Sequence, residues 1–249
     1  MVSSKLGIRR ALAGSILLLA CDAGGPRAPF RQLDSTSTLA PASFRAPVKL
    51  HAMHGARIRD AVARGDLAGV HEASRALREL ILSTEQPAPQ TMLGEVVTIT
   101  RSLESVEDVP TAAAKFAMLA ERCGACHTAF GGPRSVPAEA PPDTAGIEAR
   151  MRRHQWGASR LWEGLVAPSE EAWRSGAIVL SDAALASELP AGTSHITELE
   201  KLSGSVHDIG AKAGSATSPH ARSELYGQLL ATCASCHGTL GGGPSGPKE

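Results

Sequence analysis

The pentapeptides Cys123-Gly124-Ala125-Cys126-His127 and Cys233-Ala234-Ser235-Cys236-His237 hold the densest chemistry in this chain of 249 residues. Two thiols three residues apart, followed at once by an imidazole, suit the covalent attachment of haem. The thiols bond the vinyl groups of the porphyrin, and the histidine becomes the proximal iron ligand. On a helix the first cysteine and the histidine are four residues apart and share a face. One short segment can then staple a flat macrocycle at its edge and ligate it at its centre. A second copy of the same spacing argues against chance. Two other chemistries use these residue types: Cys-x-x-Cys pairs build zinc sites, and a single pair can shuttle disulfides. Zinc ribbons keep their pairs close in sequence, whereas these lie 110 residues apart, and the strand pattern around a thioredoxin-like pair is missing.

The elements that must position the motifs are helical, and they come in two sets of four. In residues 47–130, Pro47 suits a helix start, Gly65 a C-terminal cap, and Asp66 the cap of a second helix with the stripe Leu67, Val70, Leu77 and Ile81. A third stretch carries Met92, Val96, Ile99 and Leu103, and a fourth runs from Pro110 through Phe116 and Leu119 to Cys123. Residues 146–240 repeat the plan. A first helix spans 146–166, Ser169 caps a second with Trp173, Ala177, Leu180 and Ala184, and Leu199, Leu202, Val206 and Ile209 mark a third. Ser218-Pro219 opens a fourth, through Tyr226 and Leu229 to Cys233. The fourth helices superpose at an offset of 110 and the first at 103, which is internal repetition. The expected fold is all-α: two tandem four-helix bundles, each with a covalently attached c-type haem. A linker over 131–145 separates them, and residues 241–249 form a disordered tail.

The first 20 residues read as a secretory signal. Lys5, Arg9 and Arg10 precede an apolar run over 11–20 that is too short to span a bilayer. The run ends Leu18-Leu19-Ala20-Cys21, which resembles the bacterial lipobox and makes Cys21 a lipidation site; cleavage by the ordinary signal peptidase is the alternative. Residues 21–46, rich in Pro, Ser, Thr and Ala, read as a flexible tether. The five cysteines are then fully assigned, one to lipid and four to thioethers. The expected location is the periplasmic side of a bacterial membrane, held there by the lipid anchor. The formal charge of zero becomes −3 once the three basic residues of the signal are removed, and nothing points to nucleic acid. Aromatics are scarce, so a buried macrocycle would supply apolar surface that each small core lacks.

With these motifs at the ends of fourth helices, the chain resembles a tandem class II c-type cytochrome, the cytochrome c-prime type. The resemblance covers most of residues 47–130 and 146–240. It extends to Cys-His-x-x-Phe ending at Phe130, where the second copy departs with Leu240. It implies two haem c groups, held by Cys123, Cys126, Cys233 and Cys236, with His127 and His237 as proximal ligands. It also implies that the first helix of each half faces the other side of the haem. Class I cytochromes fit poorly, because no methionine follows His237.

The first helices then bear on the sixth iron position. Their stripes are Val48, His51, Gly55, Ile58, Val62 and Met151, His154, Ala158, Leu161, Leu165, so His51 and His154 repeat at matching inward places. They are the proposed distal ligands; satisfied core histidines are the alternative. Met151 is matched by Val48, and Met53 and His54 fall off the stripe. His71, His195, His207 and His220 read as surface residues or propionate partners. Arg57 and Arg160 are candidates for propionates or for Asp60 and Glu163. The expected function is a membrane-tethered dihaem electron carrier that serves a redox partner protein and is not an enzyme. A five-coordinate gas-binding protein and a dihaem peroxidase are the alternatives.

Overall fold

The computed structural model describes residues 42–83, 90–132, 134–182 and 193–240. The signal peptide, Cys21, most of the tether, Ala184 and the tail lie outside these. The described residues form eight α-helices and no strand. They are α1 (Ala42–Arg64), α2 (Leu67–Ser83), α3 (Gln90–Leu103), α4 (Val109–Phe130), α5 (Ile147–Val166), α6 (Glu170–Asp182), α7 (Ile196–Ala213) and α8 (Pro219–Leu240). No helix among the described residues is long and apolar enough to cross a membrane.

Local chemistry explains the boundaries. Gly65 takes the left-handed conformation (φ 72°) that ends α1, and its N–H reaches the Val62 carbonyl. Asp66 Oδ1 accepts the Gly69 N–H at 2.9 Å and caps α2. Ser169 caps α6 through the Ala172 N–H at 3.1 Å, and Ser218 caps α8 through the Ala221 N–H at 3.1 Å. Asp108 caps α4 through the Thr111 N–H at 2.7 Å, with proline within the first turn. One boundary differs from the expectation. α1 begins at Ala42, upstream of Pro47, so residues 42–46 of the expected tether are helical.

Successive helices pack side by side within each set of four, and the sets meet through α4 and α8. α1 packs more extensively on α8 than on α4, and α5 more extensively on α4 than on α8. A single apolar cluster runs through both sets, with Ile58, Leu77, Phe116 and Leu119 joined to Leu161, Trp173, Leu180, Tyr226 and Leu229. Each such buried side chain contributes about 1.5–3 kcal/mol relative to exposure. Trp162 of α5 stacks on Phe116 of α4 (centroids 5.1 Å, 14° between planes) and tilts against Tyr226 of α8 at 6.3 Å. Small residues permit close crossings: a Cβ at Gly227 would sit 3.3 Å from the Ala113 carbonyl oxygen and the Ala117 Cβ.

Residues 134–145 lie along α5. Arg153 donates to the Pro141 carbonyl at 2.7 Å, Arg160 to the Val136 carbonyl at 2.8 Å, and Ser135 to Glu163 at 3.0 Å. Arg160 also pairs with Glu163 at 2.5 Å and is nearly inaccessible.

Candidate haem-attachment site

The two motifs occupy the last turns of α4 and α8. Cys123 is buried, while Cys126, Cys233 and Cys236 are half-buried, and all four are free thiols. Burial pushes Cys123 and Cys233 up to about 12 and raises Cys126 and Cys236 as well. A disulfide shuttle needs the opposite shift, toward a thiolate at neutral pH. Among the described residues, no three His, Cys, Asp or Glu side chains converge as a ligand set, so the two pairs do not combine into a four-cysteine zinc site. The chain after α4 folds back over the first histidine. Gly131 is left-handed (φ 74°), and a Cβ at Gly132 would collide with His127 Cβ and Cγ. Glycine at 132 is what admits this close cover.

Each motif histidine is oriented by one hydrogen bond. His127 Nδ1–H donates to the Val166 carbonyl at 2.6 Å, and His237 Nδ1–H donates to the Ala63 carbonyl at 2.8 Å. A carbonyl oxygen only accepts, so in the neutral ring the proton sits on Nδ1 and Nε2 keeps the lone pair that a metal can take. Metal-ligating histidines are held in this way. The Val166 brace comes from the end of α5, against which the motif helix packs so closely that a Cβ at Gly124 would collide with the Leu165 carbonyl oxygen. At the other brace the small residue is on the turn: a Cβ at Gly65 would sit 4.0 Å from the Ala234 Cβ.

His51 of α1 faces His127 of α4, with ring centroids 6.3 Å apart and planes tilted by 46°. Two imidazoles bound to opposite sides of one metal, at about 2 Å per bond, have centroids about 6 Å apart. Burial, then the neighbouring His127 and His54, lower the pKa of His51 and keep it in the neutral form that ligates. Leu50, Met53 and Phe130, close in sequence to these two rings, are exposed. His154, the counterpart on α5, is buried. Two buried polar atoms near the motifs lack a hydrogen-bond partner: His54 Nδ1, one turn from His51, and Tyr226 Oη, two turns before Cys233 on α8. These donor types and the free Nε2 positions fit a haem.

Several of the other candidates have ordinary partners. His71 Nε2–H donates to the Val106 carbonyl at 2.9 Å, and His220 lies beside Glu121 and Glu224. Trp173 Nε1–H donates to the Ala213 carbonyl at 2.8 Å under the Arg222 guanidinium. Asp60 pairs with Arg59, while Arg57 is exposed. Sequence reasoning missed the two carbonyl braces. The available signal was their equivalence: Ala63 and Val166 match at the 103-residue offset, each in a final helical turn where carbonyls lack intrahelical donors. Comparison with protein-family models, curated proteins and solved structures finds no match to this chain.

Proposed function

We propose that the chain is a dihaem c-type cytochrome, an electron carrier tethered through acylated Cys21 to the periplasmic side of a bacterial membrane and serving a redox partner protein. Its two sets of four helices are tandem cytochrome c-prime-like bundles. Each holds one haem c at the end of its last helix, through Cys123 and Cys126 in one and Cys233 and Cys236 in the other. The observation that carries this reading is the paired Nδ1–H donation by His127 and His237 to backbone carbonyls, which leaves both Nε2 atoms for iron. When bound, the haem supplies a one-electron iron couple. The protein's own residues orient the ligands, bury one edge of each site and set its polarity.

His51 beside His127 favours a filled sixth position, and His154 takes the same role in the second half. A filled position suits electron transfer and weighs against gas binding and peroxide cleavage. Expression with haem-attachment machinery tests the reading. The intact mass is expected to exceed that of the polypeptide by two haems, with low-spin Soret and α bands on reduction. A mature protein without that added mass sinks it.

A further inference from the structure

The hydrogen bonds that hold the motif histidines follow the internal repeat, but their partners are exchanged. Ala63 and Val166 are equivalent at the 103-residue offset, and His127 and His237 at the 110-residue offset. His127, in the first set of helices, nevertheless donates to Val166 of the second, and His237, in the second, donates to Ala63 of the first. Both acceptors lie in the final turn of a helix, at the negative end of its dipole. An Nδ1–H bound to such an oxygen leaves a more electron-rich Nε2. Helix α1 also carries His51 about three turns before Ala63, so one helix serves both sites: its imidazole faces His127, and its terminal carbonyl holds His237.

We propose that each half completes the iron site of the other. The Val166 and Ala63 carbonyls are positioning groups that fix the tautomer and raise the basicity of the histidine across the interface, so that the potential of each haem depends on the docking of the opposite half. This inference rests on the dihaem reading above. Its distinctive consequence is crossed: a change in the α1–α2 turn, within the first half, alters the second haem.

Two glycine substitutions in the full-length chain test it. Gly65→Ala strains the left-handed turn beside the Ala63 carbonyl, and Gly124→Ala pushes α4 away from the end of α5. Losing a brace makes the ligand less basic and favours ferrous iron, so the potential rises. Gly65→Ala is expected to raise the second haem's potential by about 59 mV, the equivalent of a tenfold change for one electron, and to leave the first unchanged. Gly124→Ala is expected to do the reverse. A Cys233→Ser/Cys236→Ser chain, which keeps only the first haem, assigns the two waves.

A second readout needs no iron. In the haem-free chain labelled with [¹⁵N]histidine, both His127 and His237 should be Nδ1–H tautomers with protons protected from exchange. Gly65→Ala should remove protection at His237 and Gly124→Ala at His127. An Nε2–H tautomer at either residue of the unsubstituted chain overturns the proposal without any variant. So does a Gly65→Ala shift confined to the first haem, or unchanged potentials and protection in both variants. Braced protons lost one by one in a chain that never acquires haem would support the exchange and overturn the cytochrome reading instead.

Discussion

His51 and His127 stand at a separation that one metal ion could bridge, and each is prepared differently for that role. Burial keeps His51 neutral, whereas a carbonyl sets the tautomer of His127. On the proposed dihaem reading, replacing His51 by alanine is expected to convert one of the two ferric haems from low-spin to high-spin. After reduction, about one carbon monoxide per molecule should bind where the unsubstituted protein binds little. Absorption spectra check this, and unchanged low-spin bands would remove His51 from the iron. At this scale the sequence was legible where identity carries the chemistry. Cysteine spacing and the stripe position of His51 could be read directly. The braces of the motif histidines could not, because every residue has a carbonyl and only the fold selects which one is presented.

The helices are tied to one another by small residues and by a few charged links whose strength depends on pH. Gly227 lets α8 approach α4, so Gly227→Leu should overpack that crossing. We expect a loss of about 1–3 kcal/mol in urea unfolding. Glu170 of α6 pairs with Arg222 of α8, and that hydrogen bond holds the Glu170 carboxyl below the usual range. Its pKa is lower folded than unfolded. The stabilisation is thus complete above the ordinary glutamate range and is lost as pH falls through the folded value. Because the Glu170 carboxylate is exposed, Glu170→Gln should cost at most about 1 kcal/mol at neutral pH and nothing in strong acid, as paired unfolding curves would show. Gly65, Asp66, Ser169 and Ser218 marked helix ends in the sequence because caps are local. The start of α1 was misplaced: it lies five residues ahead of Pro47, although a proline lacks the N–H that would bond back to that turn.

Across the whole molecule the repeat was legible and the docking was not. A stripe of Ala, Leu and Val shows that a helix face is covered, but not which helix covers it. The same small apolar residues serve contacts within a set and between sets. Trp162 illustrates the result, since it stacks on Phe116 of the first set and meets Tyr226 of the second. Trp162→Ala should cost about 3 kcal/mol and lower both sets together in a single transition. Amide hydrogen exchange should then show α4 and α8 opening with the same free energy; separate transitions would contradict the continuous core.

The exchanged braces also impose an order on biosynthesis. A ribosome releases Cys123 and His127 before it has made Val166, which follows His127 by 39 residues. At about 5–20 residues per second, the first motif waits several seconds without its acceptor. The second meets the opposite situation, because Ala63 is made 174 residues before His237. The earlier motif thus stays without its brace while the chain emerges. The later one arrives at a seat already prepared.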